Sequence, residues 1–230
     1  MNGGLGSYSV SHFIPFTDEV YFRLFERQSE AWWPAHLLML AMGAASIVLA
    51  CLGTMRPLSV LLALTFAACG ITFHLKLYAE LTPVGTIFGR AFLLQAALIV
   101  IWGFATRSRD VFRPSVHAIS GVVIAVSGIV LFPILSLLAG RGWAGAECFG
   151  MAPDPTVCLL LGIVLLCARP AWLLLLLPIP LLWAVTTGAT LDALGAPFAR
   201  CLPFIAAGSV VIAIWKAVLP RLRGSGAGGG

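Results

Sequence analysis

The chain has 230 residues, of which 60% are hydrophobic and 10% charged, and its formal net charge is +5. A mean hydropathy of +1.01, with apolar runs of about 20 residues matching the ~30 Å hydrocarbon core of a bilayer, excludes one or two soluble domains. The ~10-residue alternating segments of an outer-membrane barrel are missing, and basic residues crowded into loops read as topology signals rather than a nucleic-acid surface.

Taken in chain order, residues 1–16 read as irregular, and the first sixteen lack the basic and apolar regions of a cleavable signal. Residues 17–33, "TDEVYFRLFERQSEAWW", are amphipathic. Val20, Tyr21, Leu24 and Phe25 recur with helical period while Glu19, Arg23, Glu26, Arg27 and Glu30 take the other side. Thr17 is the expected N-cap, with Asp18 and Glu19 in the first turn. Trp32 and Trp33 suit a headgroup layer. The segment is therefore expected to be an interfacial helix before the first span.

Seven spans are expected, over 35–53, 57–80, 83–105, 117–139, 155–168, 170–191 and 197–219. The fold class is all-α: a polytopic helical bundle occupying 34–219. The fifth segment, at about 14 residues, covers only ~21 Å, short for a crossing. Pro178-Ile-Pro180 predicts a kink in the sixth. Gly121, Ala125 and Gly128 on the fourth segment, and Ser46 and Ala50 on the first, form small-residue stripes suited to close helix contact. Residues 220–230, ending "GSGAGGG", read as a flexible low-complexity tail.

Charge sets the expected orientation. With the N-terminus outside, the inner side collects Arg56, Arg107, Arg109, Arg113, Arg169, Lys216, Arg221 and Arg223, and only one acid, Asp110. Six cysteines show neither a CxxC pair nor a zinc-like spacing. Cys148 and Cys201 both fall on the outer side, where a disulfide between them is open.

The scarce polar residues concentrate in "ITFHLKLYAELTPVGTIFGRAFLLQ", residues 71–95. If the second and third spans form a hairpin turning at Thr82, His74 and Arg90 each lie about 12 Å from the turn. Lys76 and Glu80 are shallower, and Gln95 is near mid-membrane, about 140° round from Arg90. Polar groups at such depth face a bundle interior or a wet cavity. His74, Arg90, Gln95, Glu30, His36 and Asp192 are accordingly the candidate ligand-binding residues of an outward vestibule. Plainer readings stand beside this one. Lys76 and Arg90 can snorkel, Asp192 can pair with Arg200, and Asp154 can simply cap its helix, with Pro155 following. The histidines are scattered, so neither metal, cofactor nor catalytic residue is assigned.

Four stretches carry a resemblance: "YFRLFERQSEAWWPAHLLMLAMG" (21–43), "FHLKLYAELTPVGTIFGRAFLLQA" (73–96), "RGWAGAECFGMAPDPTVCLLLGIVLL" (141–166) and "LPIPLLWAVTTGATLDALGAP" (177–197). They resemble a family of small bacterial multi-pass membrane proteins classed as a domain of unknown function. The resemblance implies an inner-membrane location and six or seven spans, and transfers no activity. The expected function is a binding or passage protein for a small polar or anionic ligand, permease-like, with the lipid bilayer as its surroundings. The alternative is an accessory or assembly subunit, with a membrane-protein partner or a second copy; an enzyme is disfavoured, and nucleic acid is not an expected partner.

Overall fold

A computed structural model describes residues 14–107 and 114–225. Among them all regular secondary structure is helical, so every backbone polar group in a helix body is satisfied within its own segment. This is the requirement of an apolar surrounding.

Helix α1 (Asp18–Trp32) begins at Thr17, whose side chain accepts from the Val20 amide, with Asp18 and Glu19 in the first turn. Its inward face is Tyr21, Leu24, Phe25 and Gln28. Val20 is 43% exposed and falls outside that face. The reason is register: from Tyr21 the 3–4 spacing runs to 24, 25 and 28 and leaves position 20 at the edge. The Gln28 amide donates to Thr72 Oγ1 at 3.0 Å and to the Met151 carbonyl at 3.2 Å, which ties α1 to the bundle. After Trp33-Pro34 the chain turns by 99° into α2 (Ala35–Cys51).

Helix α3 (Met55–Leu81) is 27 residues long, and its stretch Gly70–Tyr78 is wound as a π-helix. Thr82 then caps α4 (Pro83–Ala105), accepting from the Val84 amide, with proline at the first helical position. Helix α5 (Val116–Leu138) is capped by Ser115. The short α6 (Pro153–Cys167) follows, then α7 (Pro170–Leu176) and α8 (Pro178–Ala193), which meet at 47°, and finally α9 (Cys201–Ser225).

The prolines that predict the kink also explain its repair. Pro180 has no N–H to offer the carbonyl four residues back, that of Leu176. The Gln95 side chain donates to that carbonyl instead, at 3.3 Å.

All fifteen residues of α6 are buried, with α2, α3, α5, α8 and α9 packed around it. The fifth expected segment is thus the core of the molecule. It is short because protein encloses it, and only its neighbours need to match a bilayer. The small-residue stripe performs as expected. A Cβ added at Gly121 would lie 2.7 Å from the Gly162 carbonyl oxygen, and one at Gly128 2.7 Å from the Leu159 amide. Ser46 and Ala50 are buried on α2.

Among the described residues, four helices are long and apolar enough to cross a membrane, and six units qualify if each bent pair counts as one. The remaining expected span, the fifth, is α6, which falls short in length. Helix α9 runs to Ser225, beyond the expected 219. Residues 1–13, most of the 106–116 connection and the last five residues lie outside the described part.

The connection 139–152 folds inward rather than looping into solvent. Ala146, Glu147, Phe149, Met151 and Ala152 are buried. Gly150 has φ +77 and packs where a side chain would meet Met39, and its amide donates to Thr156 Oγ1 at 2.8 Å. The left-handed backbone and the close approach together require glycine.

Candidate functional site

The candidate residues divide. His74 is fully buried, its ring 4.4 Å from that of Phe92 and 4.7 Å from that of Trp183, with Phe73, Tyr78 and Phe88 completing the enclosure. Neither of its ring nitrogens has a hydrogen-bond partner. Arg90 is exposed. The two share a level along the hairpin and not a direction. The buried face of α4 is Gly85, Phe88, Gly89, Phe92, Gln95, Ala96 and Ile99, and Arg90 is a quarter turn or more from each of its nearest members. A recess joining imidazole to guanidinium is therefore not formed. Gln95 is buried as expected and braces the Pro180 kink. Asp192 is exposed and accepts from Arg200 Nε at 2.9 Å, the plainer of its two readings. Lys76 lies over the Trp32 ring at 5.4 Å, while Glu80 pairs with Arg27 at 2.9 Å rather than with Lys76.

Glu30 and His36 do come together. The bend between α1 and α2 opens a cleft of about 660 Å³. Ser29, Glu30, Trp33 and His36 form one end, Leu37 and Leu40 of α2 face Ile129, Val130 and Pro133 of α5, and the 143–148 segment closes it with Trp143, Ala144, Ala146 and Cys148. His36 is 8% exposed; its Nε2 lies 3.3 Å from Ser29 Oγ, and its Nδ1 has no partner in the protein. Trp33 and Trp143 are exposed at 68% and 77%. A volume within the ~300–1,000 Å³ range, apolar walls and a few convergent polar groups are the usual features of a small-molecule site. Burial, followed by the nearby Glu147 charge, pushes the Cys148 thiol up to about 11, so it sits in the cleft wall as a neutral group.

A second polar cluster lies on the far side of the 139–152 connection, and the sequence reading missed it. Arg141 pairs with Glu147 at 2.7 Å, and both are largely buried. Ser136 Oγ accepts from Arg141 Nη2 and from the Glu147 amide, each at 3.1 Å. The Arg141 guanidinium lies 4.1 Å from the Phe22 ring centre. Burial raises the Glu147 carboxyl against the opposing pull of Arg141.

Asp154 does not cap its helix, as the sequence suggested; Ala152 holds the cap position and Pro153 the first turn. Its carboxylate is buried instead and accepts from Trp183 Nε1 at 2.7 Å and Thr187 Oγ1 at 3.3 Å. Only a hole of about 20 Å³, one water in size, lies between Arg141, Glu147 and Asp154. The one available signal was the pairing of a lone acid in "APDPT" with Trp183 and Thr187 four residues apart on another helix. That pairing cannot be found from spacing.

Among the described residues no three His, Cys, Asp or Glu side chains converge as a metal site. Cys148 and Cys201 are both free thiols, so the disulfide left open by the sequence is not formed. They line different spaces: Cys148 the cleft and Cys201 the small hole beside Asp154.

No curated protein and no solved structure matches the chain. The family comparison does match, over residues 18–223, and the chain belongs to that family of unknown function, DUF6064.

Proposed function

We propose that this DUF6064 member is a multi-pass inner-membrane protein that binds a small amphipathic molecule in the cleft between α1, α2 and α5. One observation carries the reading. A cleft of about 660 Å³ with apolar walls holds a buried histidine, His36, whose Nδ1 lacks a protein partner. A polar group left unpaired in an apolar wall is unfavourable by roughly 1–3 kcal/mol, and a ligand that hydrogen-bonds it recovers that energy.

The polar or anionic solute expected from the sequence gives way to an amphiphile. His74 and Arg90 face different ways, and the titratable groups at the cleft end are Glu30 and His36 rather than a fixed cation. The basic bias of the sequence supports an N-terminus outside and a C-terminus in the cytoplasm, which puts the cleft at the outer end of the bundle. In this orientation the chain crosses seven times, with α6 crossing inside a sleeve of its neighbours.

The test is binding of a dansyl-labelled fatty acid to purified protein in detergent. The wild type should enhance and saturate the probe's fluorescence. Ala144→Trp and Val130→Trp, both at exposed positions on the cleft wall, should abolish the signal without lowering the melting temperature. Unchanged binding in both variants would overturn the proposal. Absence of binding together with a membrane partner that co-purifies through size exclusion would favour the accessory-subunit reading.

A further inference from the structure

We infer that the molecule held in this cleft is a membrane phospholipid with an ammonium headgroup, its acyl chain lying between α2 and α5 and its headgroup facing Glu30. The inference rests on the cleft being a ligand site and adds the class of ligand.

Three observations lead to it. First, the cleft is continuous with an apolar outer surface of the bundle. Leu37 and Val130 line it while themselves 59% and 49% exposed, and Leu38, Val126 and Ile134 extend the same surface. Such a surface faces acyl chains, so a cleft opening onto it is filled by lipid. Second, the polar end is marked. Trp33 and Trp143, the two most exposed tryptophans in the cleft wall, have the amphipathic rings that settle at headgroup level, and their faces attract ammonium groups. Third, the charge at that end is negative. Glu30 is exposed there, and no Lys or Arg lines the cleft. Arg27 is engaged with Glu80, Lys76 with Trp32 and Arg141 with Glu147, and Arg23 lies two turns back along α1. An anionic headgroup would meet Glu30 with like charge, whereas an ammonium completes it. His36, 8% exposed with Nδ1 unpartnered, then has a lipid oxygen to hydrogen-bond at the junction of headgroup and chain.

The experiment is native mass spectrometry of the purified full chain, delipidated in detergent and then supplied with phosphatidylethanolamine and phosphatidylglycerol of identical acyl chains at equal mole fraction. The expected result is one retained lipid per chain, with phosphatidylethanolamine favoured roughly two- to fivefold, the range for one exposed charge contact. Glu30→Gln should reduce that ratio to about one, and Glu30→Lys should invert it. Both substitutions are at an exposed helical position, and unchanged melting temperatures would confirm folding. Equal retention of the two lipids by the wild type, or an unaltered preference in Glu30→Lys, would overturn the inference. If Ala144→Trp still abolishes fatty-acid binding in that event, the cleft stands and only the headgroup assignment falls. If Ala144→Trp and Val130→Trp both leave fatty-acid binding intact, both fall.

Discussion

Gly162→Ala is the most direct test of how the bundle is held together. Gly162 sits in the middle of α6, where a Cβ would run into the Ala125 amide nitrogen and the Gly121 carbonyl oxygen, and would approach Ala125 Cα to 2.8 Å. These are backbone atoms and cannot rotate away. Ordinary carbon contacts are about 3.5–4.0 Å, so α5 and α6 must part by about 1 Å. The same two helices also meet backbone to backbone at Gly121 and Gly128, so the separation loosens contacts along the whole stripe. Overpacking of this kind is unfavourable by about 1–3 kcal/mol. The alanine returns only ~0.5–1 kcal/mol of helix propensity. The net loss of roughly 1–2 kcal/mol corresponds to a melting temperature lower by roughly 3–6 °C for a chain of this size. Gly208 in α9 provides the control, since nothing lies within 4 Å of a Cβ there. Gly208→Ala should hold or raise the melting temperature. The assay is thermal unfolding in detergent followed by intrinsic tryptophan fluorescence. A Gly162→Ala protein as stable as the wild type would refute the claim that α5 and α6 meet backbone to backbone.

Two further predictions follow from named contacts. Gln95→Leu removes the donor that Pro180 cannot supply and leaves the Leu176 carbonyl unpaired, a loss of about 1–3 kcal/mol. Pro180→Ala restores an N–H to that carbonyl, so Gln95→Leu should be much milder in the Pro180→Ala background; additive losses in this double-mutant cycle would show that Gln95 stabilises by some other route. In a variant retaining only Cys148, alkylation by iodoacetamide at pH 8 should be slow, because a thiol near 11 is about 0.1% thiolate there. The rate should rise about tenfold per pH unit toward 11, and a rate at pH 8 equal to that of an exposed cysteine would contradict the burial of this group.

Much of the fold was legible in the sequence, and for identifiable reasons. Hydropathy located the long helices, Pro178 and Pro180 located the bend, and Gly121, Ala125 and Gly128 located the closest helix contact. The place of α6 was not legible. An apolar helix reads alike whether lipid or protein surrounds it, and only packing tells them apart. The site was read less well. The depth of His74 and Arg90 follows from counting residues to Thr82. Their directions depend on how α3 and α4 roll against each other through Gly70, Gly85 and Gly89, and on the π-helical winding of Gly70–Tyr78, which no residue count reveals. Glu30 and His36 were singled out from the sequence, but the cleft that joins them also needs α5 and the 143–148 segment, about a hundred residues away. Asp154 was read as a local cap because "DPT" explains it locally; its real partners, Trp183 and Thr187, are supplied by a different helix.

The enclosure of α6 carries a consequence for biogenesis. Part of its jacket comes from α8 and α9, which the ribosome makes after it. A nascent chain arrested after residue 176 therefore presents a central rod with one flank bare. That flank is sealed only when α8 and α9 leave the ribosome, so these two helices serve as the clasp that closes around α6.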